Sequence, residues 1–326
     1  MNYRIVLMSL LFLSLISCNK DDNPLPLPDT DFKEEMRDFV IGLSQYAKSN
    51  HPNFLVVPQN GIELITEDGQ EGSPLHNAYL NAIDAHGQED LFYGYNKDDK
   101  ASPDKETTYL QLYLDQSLSV GKSILVTDYC STPSNMDDSY NQNQAAGYIS
   151  FAADERELFN IPDYPNPIRG ENNAVITEIG QAKNFLYLIN PGNFSSKSTF
   201  IQAVKSSNYD LLIMDLFFDE VLSFTATELE QLKEKANGGK RLVICYMSIG
   251  EAEDYRYYWQ SDWNSNKPDW MEAENPNWEG NYKVRYWESG WQDIIYGNDN
   301  SYLKKVLDAG FDGVYLDIID AFEYFE

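Results

Sequence analysis

Histidine and cysteine are scarce in this chain, basic residues are heavily outnumbered, and no apolar run is long. The three histidines, His51, His76 and His86, are never paired at metal-ligand spacing, and Cys18, Cys130 and Cys245 lie far apart. Neither a zinc site nor a disulfide framework is expected from such a set. Lys and Arg number 24 against 52 Asp and Glu, a formal net charge of −28. A phosphate backbone must be neutralised by cations, so this balance argues against nucleic acid as a partner. No glycine-rich phosphate loop follows any candidate strand, so no nucleotide, and no other cofactor or metal, is expected. No lysine stands at an obvious strand end, which argues against Schiff-base chemistry. The apolar stretch Ile5 to Ile16 has 12 residues, where a membrane span needs about 20.

That stretch instead suits the apolar core of a signal peptide, with Arg4 before it. It ends Leu15-Ile16-Ser17-Cys18, similar to a bacterial lipobox, which predicts a leader over 1–17 and lipidation of Cys18. An ordinary secreted protein cut nearby is the alternative. Asn19-Lys-Asp-Asp22 resembles the acidic signal that sends lipoproteins to the outer face of the outer membrane. Residues 18–31, with Asn23-Pro-Leu-Pro-Leu-Pro-Asp29, read as a stiff linker. The expectation is a surface-exposed protein held to the membrane through Cys18, with a single domain over 32–326.

What the chain does have is apolar and aromatic mass: 42% hydrophobic residues, 23 Tyr and 6 Trp. Short apolar runs recur at Phe54–Pro58, Leu91–Tyr95, Ile124–Tyr129, Phe185–Ile189, Leu211–Leu216, Leu242–Met247, Val284–Trp287 and Gly313–Ile318. Amphipathic helical patterns lie between most of them, such as Glu34–Lys48 with Met36, Phe39, Val40, Leu43 and Tyr46 on one face. Eight buried strands alternating with helices predict an α/β fold with a parallel sheet, best read as a (β/α)8 TIM barrel. An open doubly wound sheet is the alternative. Tyr148–Ala152 is a weaker strand candidate, and the Pro- and Asn-rich stretch after it reads as a joining segment.

In such a barrel the working residues stand at the C-terminal strand ends. Asp128, Asp215, Asp317 and Asp320 fall there, as do Glu251 and Glu253 just past Leu242–Met247. Strand alternation aims Asp317 with Tyr315 at the mouth and Val314 with Leu316 at the helices. The same reading pairs Asp215 with Ile213 and Asp128 with Val126. Each acid taken singly could as well be a helix cap. Paired carboxylates are what glycosidic cleavage requires, one to protonate the leaving oxygen and one to attack or to activate water. Aromatic residues near this rim include Tyr246 and Trp287, and Arg256 is placed to pair with one of the acids.

Four segments carry a resemblance. They are Tyr209-Asp-Leu-Leu-Ile-Met-Asp215, Leu242-Val-Ile-Cys-Tyr-Met-Ser-Ile-Gly-Glu-Ala-Glu-Asp-Tyr-Arg-Tyr-Tyr-Trp259, Val284-Arg-Tyr-Trp287 and Gly310-Phe-Asp-Gly-Val-Tyr-Leu-Asp-Ile-Ile-Asp-Ala-Phe322. Together, over about residues 185–326, they resemble the glycoside hydrolase family 114-like barrels, described as extracellular endo-α-1,4-polygalactosaminidases. Phe54–Gly61, Gly87–Tyr93 and Ser123–Tyr129 look like the segments that close this family's barrel, so the chain looks circularly permuted. The resemblance implies cleavage of an amino-sugar polysaccharide, with Asp317 as the best-matched catalytic residue and Glu251 and Asp215 as the next candidates. Asp128, Asp320, Glu253, Arg256, Trp287, Tyr246, Gln59, Asn60 and Tyr93 form the expected substrate-contacting set. One departure stands out. Where the resemblance leads to a glutamate, this chain reads Val57-Pro-Gln-Asn60. Either Glu251 or Asp128 supplies the second carboxylate, or the site binds sugar without cleaving it.

Overall fold

The computed structural model describes residues 30–219 and 221–326. The expected leader over 1–17, Cys18 and nearly all of the 18–31 linker lie outside the described residues. Eight described strands run parallel: β1 (Leu55–Pro58), β2 (Ala85–Glu89), β3 (Ser123–Tyr129), β4 (Ile149–Ala153), β5 (Leu186–Tyr187), β6 (Leu211–Met214), β7 (Leu242–Ser248) and β11 (Gly313–Asp317). A separate antiparallel sheet holds β8 (Glu251–Glu253), β10 (Asn281–Val284) and β9 (Met271–Glu274), in that order.

The helices are α1 (Phe32–Asn50), α2 (Asn77–Ala82), α3 (Asp104–Ser119), α4 (Pro133–Ala146), α5 (Lys197–Lys205), α6 (Ala226–Leu232), α7 (Ser289–Ile295) and α8 (Tyr302–Ala309). Their ends follow local chemistry. Thr225 and Glu228 form a reciprocal box at the start of α6, and Ser301 caps α8. Gly310 ends α8 at φ 91°, a conformation that side chains resist. In α1, Met36, Phe39, Val40 and Leu43 are fully buried, as the helical period requires.

One parallel sheet has the order β1-β11-β7-β6-β5 and another β2-β3-β4. A parallel bridge from Gln59 to Gly87 joins them, with Asp84 and Asn60 donating backbone N–H groups to Val56 and Gly87. The strands therefore follow chain order throughout, and the last pairs with the first in register, Leu55 opposite Gly313. At the remaining pair of edges, the Phe151 and Phe185 rings face each other at 5.8 Å between centroids.

Two of the eight expected strands need correction. The second parallel strand is Ala85–Glu89, not Leu91–Tyr95. Its sequence, Ala-His-Gly-Gln-Glu, carries no apolar run, and Gly87 is required because the Tyr315 hydroxyl occupies the place of a side chain there. Leu91–Tyr93 is a buried loop instead. Val284–Trp287 is not in the parallel ladder: only Val284 is strand, at the end of β10. The weak candidate Tyr148–Ala152 is β4, which restores the count of eight.

Candidate active site

Every parallel strand delivers a side chain to one cleft of about 390 Å³ at the strands' C-terminal ends. Gln59 follows β1, Glu89 ends β2, Tyr129 ends β3, and Arg156 follows β4. Tyr187 ends β5, Asp215 follows β6, Tyr246 lies on β7 and Asp317 ends β11. Alternation explains the choice on β11. Val314 and Leu316 are turned away from the face that carries Tyr315 and Asp317. The strand stops sharply because Ile318 takes φ 58°, rare for a β-branched residue, and turns its N–H back onto Asp317.

The centre of the cleft is a pair of carboxylates joined by an amide. Gln59 Nε2 donates to Asp317 Oδ1 at 2.8 Å and to Glu89 Oε2 at 2.8 Å. Two oxygens so placed are at most twice 2.8 Å apart, 5.6 Å. The Asp317 carboxylate also accepts from Ile318 N–H at 2.9 Å and from Tyr246 Oη at 2.6 Å. Glu89 accepts from the Tyr129 hydroxyl and from Asn60 Nδ2 at 3.3 Å.

Burial raises the pKa of both acids, since a charge loses its hydration here. For Glu89 the burial and the neighbouring Asp317 charge push it up to about 7, against the pull of Tyr129 and Asn60. Asp317 is raised by burial, while its bonds from Tyr246 and Ile318 favour the ionised form. Asp320, one turn beyond, is pushed up to about 8 by burial and then by the Asp317 and Glu323 charges. Each acid accepts from three donors and each is pushed toward its protonated form, so the pair favours one proton shared between two carboxyls. Acid–base work on a single bond uses such a pair.

A second cluster flanks the pair. Arg256 reaches Asp215 Oδ2 at 2.7 Å through Nη1 and Glu253 Oε2 at 2.6 Å through Nε. Tyr255 donates to the same Glu253 at 2.6 Å. Glu251 accepts from Asn275 Nδ2 at 2.8 Å and Tyr324 Oη at 2.9 Å, and burial raises its pKa against both bonds. Burial likewise raises Asp215, against the Arg256 charge.

The cleft therefore gathers Asp317, Asp320, Asp215, Glu251, Glu253, Arg256, Tyr246, Gln59 and Asn60. Three expected contacts lie elsewhere. Asp128 is fully buried on the helix side of β3, because alternation turns Thr127 and Tyr129 inward and Asp128 outward. Its carboxylate accepts from Phe92 and Tyr93 N–H, from Ser139 Oγ and from Asn143 Nδ2, which pins the 91–93 loop onto α4. Tyr93 is buried and donates to Asp138. Trp287 packs against Phe32 with its ring tilted and edge-on against Phe325, and does not line the cleft. Glu89, Tyr129, Tyr187 and Arg156 are the cleft residues that pattern reading misses. Glu89 was hidden because the apolar run after it, not the polar one before it, reads as the strand. Among the described residues no three His, Cys, Asp or Glu side chains converge on a point that could hold a metal ion.

Residues 181–326 match the model of glycoside-hydrolase family GH114. The matched stretch runs from just before β5 through β11 and includes Asp215, Glu251 and Asp317. An uncharacterized protein of Methanocaldococcus jannaschii is 40% identical over 161 residues, 49% of this chain and 43% of the relative. An uncharacterized protein of Thermotoga maritima is 40% identical over 121 residues, 37% of this chain and 36% of the relative. A third, from Deinococcus radiodurans, is 39% identical over 125 residues, 38% of each chain. This chain spans less than half the length of each of these curated relatives.

Proposed function

We propose that this chain is a GH114-type glycoside hydrolase, acting at the mouth of a closed and circularly permuted (β/α)8 barrel, with Asp317 and Glu89 as its working carboxylates. The observation that carries the reading is the Gln59 amide, bonded at 2.8 Å to both acids. It keeps one oxygen of each acid no more than 5.6 Å from the other, which suits the separation of about 5–5.5 Å used for retaining hydrolysis and falls short of the roughly 6.5–9.5 Å that leaves room for water in inversion. Closure is supported by the first-to-last strand pairing, and permutation by a family match confined to the second half of a sheet that both halves build.

In this reading Asp317 is the ionised member of the pair and attacks the anomeric carbon. Glu89 gives its proton to the departing glycosidic oxygen, so the bond breaks without an unprotonated alkoxide. The Glu89 carboxylate then takes a proton from water, whose oxygen displaces Asp317 from the sugar and regenerates both groups. Asp215, Glu253 and Arg256 hold ring substituents, and Glu251 lines the adjoining wall. The substrate is an amino-sugar polysaccharide of galactosaminan type: a net charge of −28 draws a cationic polymer in. We also take Cys18 to carry a lipid that holds the protein on the outer membrane surface, a reading that rests on residues 15–22 alone.

A sugar-binding protein without hydrolysis is the second reading, favoured by the amide at Gln59 where the resemblance leads to an acid. A reducing-end assay on partly deacetylated galactosaminan separates the two. Release by the native protein that vanishes in Asp317→Asn and in Glu89→Gln supports hydrolysis, whereas binding without release from any polysaccharide supports the second reading.

A further inference from the structure

Four aromatic side chains are exposed among the described residues: Tyr95 (49%), Tyr109 (40%), Tyr255 (38%) and Trp278 (49%). Their placement is not scattered. Tyr255 and Trp278 line the cleft, while Tyr95 and Tyr109 line a neighbouring groove of about 330 Å³. The two cavities share Asn60, Glu89 and Asp320, so Glu89 of the carboxylate pair stands where they meet. Isolated exposed aromatics need no explanation, but four lining two cavities that meet at Glu89 do.

The groove is built as well as exposed. Tyr109 donates to Glu63 at 2.7 Å and packs edge-on against Tyr113 at 5.2 Å, which holds its ring in place. Glu63, Glu106 and Glu323 line the walls. At its floor lies Gln88, 4% exposed. Its Nε2 donates to Asn60 Oδ1 and to the Glu89 carbonyl, whereas its Oε1 is buried with no hydrogen-bond partner. A buried carbonyl left without a donor carries a cost that a ligand hydroxyl or ammonium would remove.

We propose that this groove is a second glycan-binding arm, which takes the sugar units on the far side of the scissile bond from Trp278. Tyr95 and Tyr109 offer ring faces, Gln88 Oε1 accepts from a substituent, and the glutamates favour neutral or cationic sugars while repelling uronates. The proposal rests on the hydrolase reading for what happens between the arms, but not for the binding itself.

The test measures affinity by titration calorimetry in the Asp317→Asn background. The probes are partly deacetylated galactosaminan oligosaccharides of two to eight sugars, with oligogalacturonates of the same lengths as the anionic comparison. Affinity should rise with length, and Tyr95→Ala/Tyr109→Ala should remove at least tenfold of that rise while sparing the shortest probe. Tyr95→Ala alone, at a half-exposed position, should remove part of it without disturbing the fold. Equal affinities in variant and parent, equal loss at every length, tighter oligogalacturonate binding, or no binding of any probe would each overturn the proposal. The two readings fail separately. Length-dependent loss with no reducing-end release by the native protein leaves the arm and removes the hydrolase; release with no effect of the tyrosines does the reverse.

Discussion

Tyr187 Oη donates to Gln59 Oε1 at 3.2 Å, and that bond fixes which end of the amide faces the carboxylates. With its oxygen held, Gln59 must present Nε2 to Asp317 and Glu89 together. Tyr187→Phe frees the amide to turn over, and an oxygen turned toward two acids repels both. The expected outcome is a tenfold or greater loss in kcat, with the alkaline limb of the pH–rate profile moved upward as the pair loses its shared donor. Gln59→Leu should do the same more severely. A change in KM alone would mean that the amide binds substrate and does not position the acids.

Replacing either acid should stop turnover without unfolding the protein. Asp317→Asn and Glu89→Gln are near-isosteric, and each should lower kcat by a thousandfold or more on a substrate with a poor leaving group. Glu89→Gln should lose far less on an aryl glycoside, whose leaving group departs without a proton. Equal losses on both substrates would remove Glu89 from the acid role.

The raised pKa of Glu89 also has a consequence for stability. Folding lifts it from the ordinary glutamate range to about 7, so the folded state binds this proton more tightly than the unfolded chain does. The contribution is fully present at low pH and is lost as pH rises through about 7. Glu89→Gln should therefore raise Tm by a few degrees at pH 8 and leave it nearly unchanged at pH 4. Thermal unfolding followed at both pH values checks the sign.

Asp128 makes the contrasting prediction. Its four bonds are internal and buried, so Asp128→Ala strands two backbone N–H groups and two side-chain donors. A loss of about 2–4 kcal/mol in unfolding free energy is expected. Activity per folded molecule should stay near that of the native protein, which denaturant titration and an activity assay measure together.

The alternation of strands and helices and the helical face of α1 were legible because apolar period is local. Asp317 was legible for the same reason: it ends an apolar strand with clear alternation. Glu89 was not, because β2 is built from polar residues that other strands bury, and only the Tyr315 ring across the sheet explains its glycine. Asp128 sits at a strand end as Asp317 does, yet faces the helices. Parity on β3 cannot be read from Leu125, Val126 and Thr127, since both faces of that strand are buried. Trp287 and Tyr93 belong to the expected substrate-contacting set, but long-range partners, Phe325 and Asp138, draw them away from the cleft.

The pairing of β1 with β11 has a bearing on when the carboxylate pair assembles. The Gln59–Asp317 bond closes a loop of 258 residues, among the most distant partnerships the molecule makes. Until the last strand docks against the first, Asp317 and Glu89 stand on separate pieces with no amide between them. A full-length chain before that docking carries both carboxylates but no assembled pair, and under the proposed hydrolase reading slow long-range docking sets when the pair forms.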